Sequence, residues 1–553
     1  MSKFKPTDDQ KKAIETRGKN IIVSAAAGSG KTRVLVDRLV SIMLEEKIPI
    51  KNMIIVTFTN KASVEMKDRI RQKLNDLLKE ENSDKIFIKN QIKSINDAFI
   101  KTLHSFCADM LRENFYLSDN LSPSFKIAAD SKQALLRKDA IDELFEDEYE
   151  KNDPNFINFL HNFASSKDDK DAKNIILDLY DFSKSQINPH QWLCDNTSNN
   201  FDFEKFKFYI KERIETIILN ARDLENYIKE KSMRDKYFIM IEKDLSYLEK
   251  IKNAIEEKSW DEVIEIFENG LANMVTISKK FDDPNENAYV KAKKNAYKEE
   301  FNIVKDFVKN TDSITRGFFN PLEEKILNEL KNLVFSFEKI YTNKKREENY
   351  LDFSDMEHEF IKLLDNEKLQ SKLKKQFKYI FFDEYQDSND IQNYIVEKLK
   401  NENNLFFVGD VKQSIYGFRN ARPELFLKKL EDYDTDSNCL RIDLSKNFRT
   451  DKDLIDFNNY IFDRLMTRKN SDIAYKDDNH RLNYHFEFDE KYPKVSIKAL
   501  AKNVSEEAYL TKEINNLINS GLEYKDIAIL LRASSKAYLF ENELKKAGIP
   551  FFI

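Results

Sequence analysis

A glycine-containing octapeptide near the N-terminus constrains this chain more than any other feature. Residues 25–32 read Ala-Ala-Ala-Gly-Ser-Gly-Lys-Thr, between an apolar run at Asn20–Ser24 that predicts a buried strand and an amphipathic segment that predicts a helix. This context is the one a phosphate-binding loop requires, because backbone N–H groups and the helix N-terminus then face the phosphates. The pattern predicts a nucleotide site made of Ala25, Ala26, Ala27, Gly28, Ser29, Gly30, Lys31, Thr32 and Arg33.

Four side chains have predicted chemical tasks at this site. Lys31 would neutralise the β- and γ-phosphates, and the Thr32 hydroxyl would hold Mg²⁺. A second apolar run ends in Asp383-Glu384, and carboxylates at the C-terminal end of a parallel strand lie where such sheets bind ligands. Asp383 is therefore predicted to contact Mg²⁺ and Glu384 to deprotonate the attacking water. A solvated acidic turn is the alternative interpretation of this pair.

The remaining patterns predict an α/β chain interrupted by helices. Apolar runs at 53–57, 99–102, 379–382, 405–408, 440–444 and 527–531 predict strands of a parallel sheet covered on both faces. Helical spacing of apolar residues between 119 and 345, as at Ile141, Leu144, Phe145 and Tyr149, is typical of an all-α insertion. We expect one α/β lobe from residues 1–118 and 346–450, and the start of a second from 451–553. Because the second lobe breaks off after one strand and one helix, we expect a truncated chain.

Composition limits the compartment and the partners. The chain has 91 Lys plus Arg and 97 Asp plus Glu, and its net charge of −6 neither supports nor excludes nucleic-acid binding through a local basic groove. The three cysteines, Cys107, Cys194 and Cys439, have neither disulfide-framework nor zinc spacing, so a reducing cytoplasm is expected. No run of about 18 apolar residues occurs, and we expect no membrane span.

Other polar and aromatic residues could read the base, the phosphates or unpaired bases. Thr7-Asp8-Asp9-Gln10 predicts a helix-capping box, and Gln10 could also recognise adenine. In the loop after residues 405–408, Gln413 could sense the γ-phosphate. Tyr416, Phe418 and Arg419 could form a stacking platform for unpaired bases. Packing of these aromatic rings in the core is the alternative.

Taken in order, these segments resemble the superfamily-one DNA helicases of the UvrD/Rep type. The resemblance covers nearly the whole chain, and the order and spacing of its segments make it specific. Ala25 and Ser63 depart from the glycine and alanine that are usual in the family. The resemblance rests on Gln10, Ala25–Thr32, Thr57–Ala62, Thr102–Phe106, Leu351–Asp355, Asp383–Asp387, Gly409–Ala421 and Asn447–Thr450.

The resemblance implies a RecA-like motor lobe, ATP and Mg²⁺ as cofactors, and 3′→5′ movement. It implies that Phe448 stacks on the adenine and that Arg449 reaches the γ-phosphate, with Lys31, Glu384 and Gln413 as the other catalytic groups. His104 could instead be a satisfied core histidine. The residues implied to lie along single-stranded DNA are Phe58, Asn60, Lys61, His104, Tyr416, Phe418 and Arg419.

Within the family, the chain is most similar to the helicase–nuclease subunits of bacterial AddAB-type complexes. The similarity lies in His104–Cys107, Ser124–Ala128, the acidic helix at Ala140–Glu150 and the long insertion. It implies a partner subunit of the AddB type. It also implies action on single-stranded and duplex-end DNA in double-strand break recombinational repair. A second-lobe arginine and a nuclease domain are not found before Ile553, so the chain as given is expected to bind nucleotide but hydrolyse it poorly.

Three other functions are compatible with parts of this pattern. The first is a stand-alone UvrD-like repair helicase without a nuclease, and the second is a non-catalytic nucleotide-binding scaffold. The third is a kinase-like or transport ATPase, against which the aromatic loop at Tyr416–Arg419 argues.

Overall fold

The structure, a computed structural model, forms two compact units. One comprises residues up to 449 together with 463–483, and the other comprises 450–462 and the chain from 484 onward. Residues 463–483 are thus grouped with the first unit, whereas the sequence predicts 451–553 as one domain. The residues described are 6–80, 84–118, 121–197, 203–275, 283–310, 321–417, 420–467, 471, 473–476, 480–484, 495–501 and 504–552.

A parallel six-stranded sheet forms the centre of the first unit, in the order β3-β2-β6-β7-β1-β8. The strands predicted at 20–24, 53–57, 99–102, 379–382, 405–408 and 440–444 are confirmed as its members. Every residue of β1 is buried, which is why its centre, Ile21–Val23, is a continuous apolar run rather than an alternation. The strands are β1 (Asn20–Ala25), β2 (Met53–Val56), β3 (Phe99–Lys101), β4 (Lys126–Ile127), β5 (Tyr350–Leu351), β6 (Tyr379–Phe382), β7 (Leu405–Gly409), β8 (Cys439–Leu444), β9 (Lys446–Asn447) and β10 (Asn483–Tyr484).

Helices cover both faces of the sheet. Ile21 and Phe406 point to one apolar cluster and Ile22 and Phe407 to the other, so neighbouring strand residues serve opposite cores. The helices that flank the sheet are α1 (Asp8–Glu15), α2 (Lys31–Glu45), α3 (Asn60–Leu77), α4 (Lys85–Ser94) and α5 (Leu103–Glu113), and later α15 (Phe353–Leu364), α16 (Glu367–Gln376), α17 (Asp390–Leu399) and α18 (Pro423–Thr435).

A helical insertion, defined here as α6 to α14, interrupts this lobe. Ile141, Leu144 and Phe145 are buried in it as the helical spacing predicts, whereas Tyr149 is 48% exposed. Two apolar clusters hold it together, one formed by α6–α9 with α14 and one by α10–α13. Its helices are α6 (Asp130–Lys151), α7 (Pro154–Phe163), α8 (Lys170–Lys184), α9 (Pro189–Thr197), α10 (Phe203–Glu230), α11 (Asp235–Glu257), α12 (Trp260–Phe267), α13 (Pro284–Asn310) and α14 (Pro321–Glu347).

The base of the insertion is a pair of very short parallel strands that the helical pattern does not predict. The N–H of Lys126 donates to the carbonyl of Asn349, and the N–H of Ala128 donates to that of Leu351, both at 2.9 Å. Strands of two residues are too short to show a twofold alternation in sequence. The chain therefore leaves the lobe and returns to it at the same place.

The second unit contains α20 (Glu506–Asn519) and α21 (Ala537–Lys546), while α19 (Lys452–Leu465) runs from it into the first unit. The strand predicted at 527–531 is wrong, because no described strand pairs with this extended segment. Ile527 and Ile529 pack on a small apolar cluster, while Leu530 is 93% exposed. The continuous apolar run that suggests a buried strand is therefore covered along one side only. Across the described chain, no helix is long and apolar enough to span a membrane.

Candidate active site

The predicted phosphate loop connects β1 to α2 with two glycines in the left-handed region. Gly28 has φ 72° and Gly30 has φ 85°, a conformation that costs energy for residues with a Cβ atom. At Gly28 a Cβ would also lie 2.8 Å from the Asn447 side chain. Both glycines are thus required by geometry, and α2 begins at Lys31 with its N-terminus facing the loop.

Three hydrogen bonds from outside the loop hold its backbone. Gln10 Nε2 donates to the carbonyl of Ser29 at 2.9 Å. Asn447 Nδ2 donates to the carbonyl of Ala27, and the Phe448 N–H to that of Gly28, also at 2.9 Å. Gln10 of α1 and the segment after β8, both predicted to belong to the nucleotide site, therefore fix the backbone of the phosphate loop.

Gln10 is buried and hydrogen-bonded at both ends of its amide. Its Oε1 accepts from the Thr7 N–H at 3.0 Å, and Thr7 Oγ1 accepts from the Gln10 N–H at 3.2 Å, which confirms the predicted capping box. The side chain is 3% exposed. The structure thus gives Gln10 a loop-holding contact, and its recognition of adenine stays a prediction.

A buried arginine fixes the helix that carries Gln10. Arg38, on α2, is 2% exposed and donates through Nη1 to the carbonyls of Ala13 at 2.8 Å and Thr16 at 2.7 Å. These carbonyls lie at the C-terminal end of α1, where backbone acceptors lack helical partners. The guanidinium also stands over the Phe406 ring at 4.8 Å. Because α1 and α2 are joined in this way, Gln10 and the phosphate loop keep a fixed relation.

The two predicted carboxylates follow β6 and differ in their surroundings. Asp383 is 7% exposed, so it is not part of a solvated turn, and its Oδ1 has no hydrogen-bond partner among the described residues. Burial, and then the charge of Glu384, raises the pKa of Asp383 to about 6. Glu384 adopts φ 55°, a left-handed conformation that is uncommon for a residue with a side chain.

A polar network joins Glu384 to the phosphate loop. Lys31 Nζ donates to Glu384 Oε2 at 3.0 Å and to Gln413 Oε1 at 3.3 Å. Gln413 Nε2 in turn donates to Asp410 Oδ2 at 2.7 Å. Residues predicted from three separate segments therefore meet at one point.

Gln386, for which the sequence predicts no role of its own, holds this network together. Its Nε2 donates to Glu384 Oε2 at 2.9 Å, and its Oε1 accepts from the Asp410 N–H at 2.9 Å. A Cβ on Gly409 would lie 2.6 Å from this Oε1, so the approach requires glycine. The only sequence signal for Gln386 is its place inside the Asp383–Asp387 segment.

The network borders a cleft of about 320 Å³. The cleft brings Lys31, Thr32 and Arg33 together with Glu384, Gln413 and Arg449, as predicted. Arg69 of α3 also faces it and was missed, because it stands in an ordinary amphipathic helix with no local signal. The lining residues are Ala27, Gly28, Gly30, Lys31, Thr32, Arg33, Arg69, Glu384, Gln413 and Arg449.

An aromatic pair lies beyond the same edge of the sheet. The rings of Phe58, after β2, and Tyr416, in the loop after β7, have centroids 4.4 Å apart. Asn60 and Lys61, the first residues of α3, are exposed. The predicted residues Phe418 and Arg419 lie outside the described residues.

His104, at the start of α5, is one-third exposed and bound by a carboxylate. Its Nε2 lies 3.2 Å from Glu357 Oε1, and its ring centroid lies 5.0 Å from that of Phe353. Phe353 is 46% exposed. It belongs to the Leu351–Asp355 segment of the family pattern, from which no role for it was predicted, and its ring is exposed beside His104.

Known proteins are similar to this chain over nearly its whole length. Residues 6–434 match the UvrD/REP helicase N-terminal domain, and residues 442–553 match the UvrD-like helicase C-terminal domain. Three similar proteins are named as subunits of an ATP-dependent helicase/nuclease. The protein from Alkaliphilus oremlandii is 32% identical over 99% of this chain and 49% of its own length. The protein from Clostridioides difficile is 35% identical over 89% of this chain and 41% of its own length. The protein from Listeria monocytogenes serotype 4b is 33% identical over 99% of this chain and 49% of its own length. The chain thus spans about half the length of the curated relatives it matches.

Proposed function

The chain belongs to the UvrD/Rep helicase family, and we propose that it is the ATP-driven DNA motor of a helicase–nuclease. The observation that carries this proposal is the meeting of Lys31, Glu384 and Gln413 at one cleft. The loop that supplies Gln413 continues directly to Tyr416, which packs on Phe58. A nucleotide site and a base-stacking surface on one short loop are what coupling of ATP hydrolysis to DNA movement requires.

The side chains in the cleft fit a nucleoside triphosphate and a divalent cation. Lys31, Arg69 and Arg449 supply positive charge, and the glycine loop presents backbone N–H groups to phosphate oxygens. The Asp383 oxygen without a partner and the Thr32 hydroxyl are the oxygen ligands that Mg²⁺ prefers. Bound Mg²⁺ would supply neutralisation of charge on the β- and γ-phosphate oxygens. We further propose that Gln10, Arg33 and Phe448 surround the adenosine.

Glu384 is the group we propose as general base. Its carboxylate is held by Lys31 and by Gln386. Phosphate oxygens that bind Lys31 would compete with Glu384 for the ammonium group. The released carboxylate, still oriented by Gln386, would then accept a proton from the attacking water.

We propose that single-stranded DNA binds an aromatic surface that consists of Phe58, Tyr416 and Phe353. Phe58, Tyr416 and Phe353 offer rings on which bases can stack, at roughly 1–3 kcal/mol per base and with little sequence preference. Asn60, Lys61 and His104 would contact the backbone, and binding should weaken with salt. Phe418 and Arg419 are proposed for the same surface from the family pattern, as is 3′→5′ movement.

The names of the relatives support a wider role. We propose that the chain works with an AddB-type partner protein on single-stranded and duplex-end DNA, in cytoplasmic double-strand break recombinational repair. We also propose residues 1–118 with 346–450 as one motor lobe, 119–345 as an insertion and 451–553 as the start of the second lobe.

The Glu384→Gln variant tests the catalytic proposal. The amide keeps the size of the side chain but cannot accept the proton, so DNA-stimulated ATP turnover should fall by about 10²–10⁴-fold. Affinity for a fluorescent ATP analogue should stay within a few-fold of the parent. Glu402→Gln, an exposed glutamate outside the cleft, is the matched control. Normal turnover by Glu384→Gln would show that the proposed base is wrong.

A further inference from the structure

A buried lysine of the insertion binds both carboxylates that begin α15. Lys345, near the end of α14, is 1% exposed. Its Nζ donates to Asp352 Oδ2 at 2.7 Å and to Asp355 Oδ2 at 2.5 Å. These two aspartates form the capping box of α15, in which each side chain accepts from the other's backbone N–H. The Tyr341 hydroxyl, also from α14, adds a 3.3 Å hydrogen bond to Asp352.

Helix capping does not explain this lysine. A capping box satisfies the first N–H groups of a helix by itself. A cation at the N-terminal end of a helix is disfavoured by the helix dipole, and burying its charge adds a desolvation cost. The nearly buried carboxylates of Asp352 and Asp355 require a counter-charge, and Lys345 supplies it from α14, so this lysine ties the insertion to the first turn of α15.

The capping box stands next to Phe353 and His104, two of the residues proposed to contact single-stranded DNA. Phe353 is the first residue of α15, directly between the two aspartates in sequence, and its ring lies against His104. One turn later, Glu357 is 4% exposed and holds His104 Nε2 at 3.2 Å. Because the N-terminal geometry of α15 sets the direction of Phe353, a shift of the capping box moves the Phe353–His104 pair.

We propose that Lys345 is a positioning residue for single-stranded DNA, through which the helical insertion sets the orientation of Phe353 and His104. Lys345 itself is buried and does not touch the DNA. The inference rests on the proposed function, because it assumes that this aromatic surface binds unpaired bases. It assigns the insertion a direct part in DNA affinity.

Three variants of the full protein test this role. Lys345→Met removes the charge and keeps the length, Lys345→Arg keeps the charge, and Lys339→Met changes an exposed lysine of the same helix. Anisotropy of a fluorescent oligothymidine measures DNA affinity, and steady-state turnover without DNA measures the KM for ATP. We expect Lys345→Met to weaken DNA binding about tenfold, the order expected for one lost stacked base, with the KM for ATP unchanged. Lys345→Arg should recover most of the affinity, and Lys339→Met should match the parent.

Unchanged DNA affinity in Lys345→Met would overturn the inference, as would an equal loss in Lys339→Met. If Lys345→Met also loses nucleotide binding, Asp355→Asn decides, because it keeps an acceptor for the Asp352 N–H and removes one charge. A loss of DNA affinity alone in Asp355→Asn supports the inference, and normal affinity overturns it. A parent protein that fails to bind oligothymidine would instead count against the proposed function.

Discussion

A carboxylate buried in the helical insertion and one buried at the end of the sheet have opposite surroundings. Asp244, on α11, is 1% exposed and has partners on both oxygens. Its Oδ1 accepts from the Ala272 N–H at 2.7 Å, and its Oδ2 accepts from the Tyr297 hydroxyl at 2.6 Å and from Lys294. This carboxylate holds three segments of the insertion together, and donors of the protein occupy both of its oxygens.

Two carboxylates close in sequence to Glu384, which lines the cleft, have hydrogen-bonding capacity that the described residues do not fill. Asp383 and Asp387 are 7% and 8% exposed, and the Oδ1 of each has no hydrogen-bond partner within the described part of the chain. Buried polar atoms without partners are rare in folded proteins, because they forfeit hydration without replacement. The comparison teaches that the degree of pairing, rather than burial or charge, separates a structural carboxylate from one placed for a ligand.

The largest expected effect comes from the same substitution in both regions. Asp244→Asn leaves Lys294 buried without its counter-charge, which should cost about 3–5 kcal/mol of stability. Asp383→Asn removes a buried charge whose Oδ1 has no hydrogen-bond partner among the described residues, so it should raise Tm while abolishing Mg²⁺-dependent ATP turnover. Thermal unfolding in the presence of a chelator measures both shifts. Each variant is the control for the other, and a fall in Tm in both would refute the distinction.

A smaller effect, on kcat, is expected at Gly409, because the backbone there lies close to the Gln386 side chain. Gly409→Ala places a methyl group 2.6 Å from Gln386 Oε1, which should displace Gln386 from Glu384. Misplacement of a catalytic group by about 1 Å can cost up to about 10²-fold in rate, and we expect kcat to fall about 10–100-fold. Gly270→Ala is the matched control, since nothing lies within 4 Å of the added atom. Equal kcat values for the two variants would show that Gln386 does not orient Glu384.

The smallest effect is a pH dependence of stability, expected at a contact between the helical insertion and the lobe that carries the sheet. His358 of α15 is buried, and its Nε2 lies 3.0 Å from the carbonyl of Lys184 in the insertion. Burial, and then the positive charge of Lys184, lowers its pKa below 6.5, while Glu357 opposes this and Lys362 adds to it. The unfolded chain therefore binds this proton more readily. Stability from neutral His358 is complete above pH 6.5 and is lost as the pH falls further.

Comparison with His358→Gln isolates this contribution. Between pH 6.5 and 5, the parent should lose about 1 kcal/mol or less relative to the variant, in denaturant titrations at several pH values. Parallel pH dependence in the two proteins would mean that His358 does not become charged on unfolding.

The sequence predicts the strands of the sheet better than their arrangement. β1, β2 and β7 are buried along their whole length, so each leaves a continuous apolar run that is visible locally. Their order is not visible, because β1 pairs with β7 and β8, which lie far along the chain. The segment at 527–531 shows the converse, since its local pattern is that of a strand but no described strand lies beside it.

The candidate site divides in the same way. Lys31, Glu384 and Gln413 stand in segments of recognisable order, and they meet as predicted. The sequence gives no signal for Arg38, Arg69 or Lys345, because the contacts of these residues join elements that are distant along the chain. Arg38 reads as one polar residue of an amphipathic helix, and only the structure shows its guanidinium at the end of α1.

The two short strands at the base of the insertion have an evolutionary consequence. Since β4 and β5 lie side by side, the chain between them is a closed excursion whose ends are already joined. The entropy of closing such an excursion grows only slowly with its length, at about 0.6 kcal/mol for each doubling. Insertion or deletion of whole helices between β4 and β5 leaves the sheet unchanged. Related motor domains can therefore diverge at this junction by gaining or losing helical domains.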